Sequence, residues 1–195
     1  AGFSTANPTY PSLLHPIEEL AVRGVSQGLD ECASQRTGAI HFVTHSLGGI
    51  LVRQYLTRNT IPALGRVVML GPPNQGSQAA DYVHSLDFLR PFTPEAVEQL
   101  GTGDRSVPRQ LGAADFELGV IAGTEDQFGT LPGTSSEEAS DGTVAVSETM
   151  VPGMVDFIAL PVGHSFMMWS ADVRDQVLYF LLNGRFDHGE TGARP

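Results

Sequence analysis

Apolar and polar positions along this chain follow two rhythms. From Ile17 onward, Ile17, Leu20, Ala21, Gly24, Val25, Gly28, Leu29 and Cys32 recur at the three- and four-residue spacing of one helix face. Pro16 suits the first helical position, and Cys32 reads as a small buried residue on the stripe. Elsewhere the apolar runs are short and bounded by glycine, proline or polar residues, as buried strands are. Such runs occupy Ala39 to His45, Arg66 to Leu70, Leu118 to Ala122 and a stretch within Met154 to Pro161. Ala1 to Asn7 reads as a further short strand, closed by Asn7-Pro8. The helical pattern returns behind Ser46 to about Arg58, and again from Ser170, where Val173, Val177, Phe180 and Leu181 share a face before Gly184.

Strands separated by helices predict an α/β protein: a mostly parallel sheet flanked by helices, in a single domain over residues 1–195. Residues 78–115 show weak periodicity, with a helix start at Phe92-Thr93-Pro94-Glu95. They read equally as a small cap over a pocket or as a surface connection. Gly129 to Asp141 reads as a loop, and 187–195 as a flexible polar tail.

Composition narrows the function classes. Hydrophobic residues make up 41% of the 195 and charged residues 17%, an ordinary globular balance. A net charge of −11 leaves too little positive charge for a phosphate-binding patch, so nucleic acid is not expected as a partner. All 11 basic residues are arginine, which a GC-rich genome explains more simply than salt tolerance. The lone Cys32 cannot form an internal disulfide. No apolar run is long enough for a transmembrane segment, and no signal peptide is visible, which fits either a cytoplasmic or a mature secreted protein.

The candidate chemistry centres on His41-Phe42-Val43-Thr44-His45-Ser46-Leu47-Gly48-Gly49. An apolar strand runs into a polar His-Ser pair, and two glycines precede a new apolar run, Ile50-Leu51-Val52. That order describes a strand, a sharp turn and a helix, with a serine hydroxyl pushed out at the apex and helix amides aimed at whatever it attacks. A serine nucleophile needs a base, and the base needs an acceptor to fix its tautomer. His164 follows a late strand through Pro161-Val162-Gly163 and suits the base, whereas His41 reads as a strand residue, His45 as part of the turn and His188 as tail. Two acids are open: Asp141 in Ser140-Asp141-Gly142-Thr143-Val144, and Asp126, which directly follows the strand ending at Ala122.

His45-Ser46-Leu47-Gly48-Gly49 resembles the nucleophile elbow of α/β-hydrolase lipases and esterases of the bacterial type. Thr44 stands where the G-x-S-x-G pattern has its first glycine. The resemblance runs from Tyr10-Pro11-Ser12 to the C-terminal helix. It implies a Ser-acid-His chain order with Ser46 as nucleophile and His164 as base. The aspartate-glycine-x-valine segment of small bacterial lipases favours Asp141 as the acid, while Asp126 matches the position used in many other α/β-hydrolases. It also implies an oxyanion hole, to which the Leu47 N–H contributes one donor. The second donor ordinarily lies in a His-Gly loop on an upstream strand, and no such segment precedes Ser46 here. The expected fold is therefore a minimal or N-terminally truncated α/β-hydrolase. Three arrangements are expected to make up for the strand: Ala1 to Asn7 shifts into its place, a second subunit covers the gap in a homo-oligomer, or upstream residues supply it.

The expected activity is carboxylester hydrolysis through an acyl-enzyme on short to medium acyl chains, with no cofactor and no metal. A calcium role for Asp141 finds too few spaced oxygen ligands around it. A catalytically weak binding or assembly protein, and acyl transfer or amide hydrolysis on the same triad, are the alternatives.

Overall fold

The computed structural model describes residues 2–12, 15–33, 38–86, 94–126 and 138–189. Helix α1 covers Ile17–Ala33 and leads to strand β1, Ile40–His45, and helix α2, Leu47–Leu56. Strand β2 spans Leu64–Leu70 and is followed by the helices α3, Gln78–Ser85, α4, Glu95–Gln99, and α5, Val107–Gln110. Strand β3, Leu118–Gly123, precedes the short α6, Val146–Thr149. Strand β4, Asp156–Leu160, runs into a 3₁₀ turn, His164–Trp169, and the last helix α7, Ala171–Asn183.

The four strands form one parallel sheet in the order β1-β2-β3-β4. β2 shows how a two-residue period serves a strand buried on both faces. Val67 and Met69 join a core with Val25, Val52, Leu118 and Val120 on the side of α1 and α2. Val68 and Leu70 point the other way, into a core with Ile121, Val173, Val177, Phe180 and Leu181 under α7. Gly119 in β3 lies against the Phe180 ring, where a Cβ would come within 2.5 Å of it. At the two ends of α7, Ser170 caps the first turn by accepting from Val173 N, and Gly184 closes the last with φ 74°.

The expected strands and long helices are present with boundaries shifted by a few residues, and Pro94 precedes α4 as its N-cap. Three local expectations change. Residues 2–10 form no strand, so among the described residues β1 is an edge strand of the sheet and no N-terminal segment pairs with it. A strand exists only through its partner's hydrogen bonds, which local alternation does not supply. Cys32 is half-buried rather than enclosed, and it lines a cleft of about 400 Å³ between residues 6–10, α1 and β1. The beginning of the tail is held in place, because Gln176 on α7 exchanges two hydrogen bonds with the Asp187 main chain and His188 meets Asp156. Most of the Gly129 to Asp141 loop and residues 190–195 lie outside the described residues.

In the 78–115 stretch, Ala96 and Val107 bury against Ile17, Leu20, Ala21, Ile50 and Leu51, which packs that stretch onto α1 and α2. No helix among the described residues is long and apolar enough to cross a membrane.

Candidate active site

All three triad candidates lie beyond the carboxyl ends of strands, as ligands and reacting groups do in parallel sheets. Ser46 follows β1 directly. Its N–H donates to Leu70 O at 2.9 Å, continuing the ladder to β2, and Gly49 N then donates to Ser46 O at 3.1 Å to start α2. One residue thus reverses the chain from strand to helix, with φ 52° and ψ −125°. It is the only positive-φ residue other than glycine among those described, a conformation costing roughly 1–3 kcal/mol. The N–H groups of Leu47 and Gly48 precede the first helical hydrogen bond, leaving them at the helix's positive end beside the serine.

Small residues make this turn fit. A Cβ on Gly49 would come within 2.9 Å of Met69 Sδ and 3.2 Å of Pro72 Cβ, so β2 presses directly on the helix start. Thr44 is accommodated because Gly48 stands opposite it, where an added Cβ would already be 3.4 Å from Thr44 Cβ. The Thr44 hydroxyl is buried without a hydrogen-bond partner.

Asp141 and His164 meet on the other side. His164 Nδ1 lies 2.7 Å from Asp141 Oδ2, and the aspartate side chain is fully buried. The other carboxylate oxygen accepts from Thr143 N at 3.0 Å and Val144 N at 2.8 Å, an Asx-type turn that fixes the carboxylate plane. His164 N also donates to Asp141 O at 2.9 Å, so backbone and side chain of the two residues are paired together. Because a carboxylate only accepts, His164 Nδ1 carries the proton, and Nε2 is the basic nitrogen of the neutral ring. Asp126, the other candidate acid, lies against Gly142, where a Cβ would be 3.0 Å from its carboxylate.

Ser46 comes to this pair through its neighbour in sequence. The His45 ring lies 4.6 Å from the His164 ring, centroid to centroid, and His45 Nε2 is 3.0 Å from His164 O. Burial and the nearby His164 hold the His45 imidazole below its ordinary value of 6.5. No hydrogen bond joins Ser46 Oγ to His164 among the described residues. Serine–histidine contacts of this kind commonly tighten only when substrate is present.

Two glycines that sequence reasoning passed over shape the site. Gly71, with φ 52°, follows β2, and a Cβ there would sit 2.9 Å from Asp141 Oδ2, 3.1 Å from His164 Nδ1 and 3.2 Å from Met167 Sδ. Gly123 closes β3, where a Cβ would meet Val162 O at 2.3 Å and Asp141 Cβ at 2.7 Å. Both stand at the carboxyl ends of apolar runs, and that position was the available signal.

A buried polar relay supports the loops. Arg53 on α2 donates to Asn74 Oδ1 at 2.9 Å and to Gly112 O at 2.6 Å, with a longer bond to Pro108 O. Asn74 donates on to Thr149 O at 2.7 Å, next to the segment that carries Asp141. Burial pushes the Arg53 guanidinium down to about 10. Among the described residues no group of three or more His, Cys, Asp or Glu side chains is placed to hold a metal ion.

No protein-family model matches the chain, and no curated protein matches it. Solved structures do. Phospholipase PlaB from Legionella pneumophila, in complex with thio-NAD, superposes with a TM-score of 0.69 at 18% identity, over 90% of this chain and 49% of its own. Bacillus licheniformis lipase BlEst2 in its propeptide form gives 0.65 at 22% identity, over 91% of this chain and 43% of its own. The metagenomic carboxyl esterase MGS0156 gives 0.54 at 20% identity, over 75% and 52%. The chain thus spans about half the length of these proteins or less. Together with the parallel sheet, they define an α/β protein with the hydrolase-like fold that these lipases and esterases share.

Proposed function

We propose that this protein is a serine carboxylester hydrolase working through a Ser46-His164-Asp141 triad. The observation that carries the reading is the 2.7 Å contact between buried Asp141 and His164 Nδ1, set beside a serine held at a strained strand-to-helix turn. Asp141 fixes the tautomer that leaves His164 Nε2 basic. His164 takes the Ser46 proton as Oγ adds to the ester carbonyl. The tetrahedral oxyanion forms at the start of α2, where the Leu47 N–H is one donor. Collapse of that intermediate breaks the ester C–O bond, and the imidazolium hands its proton to the departing alcohol. Water then repeats the sequence on the acyl-enzyme and returns Ser46 and the carboxylic acid.

The neighbours named for phospholipase, lipase and carboxyl esterase chemistry support an ester or lipid substrate. Acyl chains of short to medium length are the expected class.

The test is hydrolysis of a p-nitrophenyl ester series by the parent and by Ser46→Ala. The expected result is saturable turnover that falls roughly 10⁴-fold or more in the variant. An inert parent, or equal rates in both proteins, overturns the proposal.

A further inference from the structure

We infer that His45 is a positioning residue that ties the nucleophile turn to the loop of the catalytic base. The inference rests on the triad reading above.

His164 is held at three points. Asp141 takes its ring Nδ1, the Asp141 carbonyl takes its backbone N–H, and His45 Nε2 meets its backbone carbonyl at 3.0 Å. A carbonyl oxygen can only accept, so His45 Nε2 must carry a hydrogen. None of the three contacts uses His164 Nε2, the atom the reaction needs. The first two tie His164 to the acid alone. The third ties it to β1 and so to Ser46, the next residue along the chain.

The ring contact adds a second constraint. The two imidazoles are 4.6 Å apart at an angle of 46°, so the face of His164 cannot swing toward β1 without displacing His45. When His164 accepts the serine proton it becomes a cation in contact with this neighbour, and a charged His45 would oppose that step. Burial of His45 and the proximity of His164 both favour the neutral ring. His45 thus sets where the base stands relative to the nucleophile while adding no competing charge. Its hydrogen bond goes to the His164 backbone and takes no part in the proton transfer.

A single hydrogen bond matters here because it acts on position. Displacement of a catalytic group by about 1 Å can lower rates by roughly 10²-fold. His45→Leu keeps most of the apolar volume and removes the donor. His45→Gln keeps an N–H at similar reach from the backbone.

The experiment measures kcat and KM for p-nitrophenyl ester hydrolysis by the parent, Ser46→Ala, His45→Leu, His45→Gln, His164→Ala and the His45→Leu/His164→Ala double variant, with circular dichroism of each to compare folding. The expected result is a roughly ten- to hundred-fold loss of kcat in His45→Leu with KM nearly unchanged, and recovery of most of the loss in His45→Gln. His45→Leu should cost nothing further once His164 is alanine, because its effect passes through that ring. Equal rates for His45→Leu and the parent, no recovery in His45→Gln, or an undiminished cost in the double variant overturns the inference. If Ser46→Ala is inactive and His45→Leu is not impaired, the triad stands and only the role of His45 falls. An inert parent removes both.

Discussion

Gly71 shows how tightly single positions constrain this site. Its positive φ disfavours a side chain, and its missing Cβ leaves room for Asp141, His164 and Met167 together. Gly71→Ala is expected to cut kcat by roughly 10²-fold with the fold retained, read by ester hydrolysis beside circular dichroism. His45 adds a pH effect whose sign follows from its lowered value. The folded state disfavours the charged ring, so stability relative to the unfolded chain is complete above about 6.5 and falls as the pH drops through and below that point. Urea midpoints should therefore fall more between pH 7 and pH 5 for the parent than for His45→Gln. At this scale the sequence was informative about chemistry and silent about crowding. Ser46, Asp141 and His164 could be singled out because few residue types suit the roles proposed for them, and the fold brings Asp141 and His164 into contact. The need for glycine at 71 and 123 was not, because the atoms that would collide come from residues such as Asp141, Val162 and His164, far away in sequence.

Among the elements, the helix α2 does more than present Ser46. Its buried Arg53 holds Asn74, Pro108 and Gly112, and Asn74 reaches the segment after Asp141. Arg53→Met is expected to strand these acceptors and to lower stability by about 3 kcal/mol in urea unfolding, since each buried unpaired polar group costs about 1–3 kcal/mol. The strands and long helices were readable because each carries its own period, two residues in β2 and nearly four in α1 and α7. Arg53 was not, since its partners lie in the loop after β2 and in α5 with the turn behind it, 21 to 59 residues further along the chain. The segment before Tyr10 was misread as a strand for a related reason: its residues can extend, but pairing depends on a neighbour that the local pattern does not specify.

For the molecule as a whole, the parallel order β1-β2-β3-β4 brings four strand ends and both halves of the candidate site to one rim. The outer side of β1 is unpaired among the described residues, and Val43 on it is 50% exposed. An open apolar edge of this kind promotes pairing with another chain. Concentration-dependent self-association is expected on size-exclusion chromatography, and Val43→Lys should weaken it. A monomer at every concentration, for both proteins, would remove the second-subunit explanation. If Ser46 is the activated nucleophile proposed above, it reacts with a fluorophosphonate, which intact-mass and peptide analysis would locate. One adduct per chain, on Ser46 and formed far more slowly in His164→Ala, is the predicted result. No adduct, an adduct on another residue, or equal labelling in His164→Ala would contradict it.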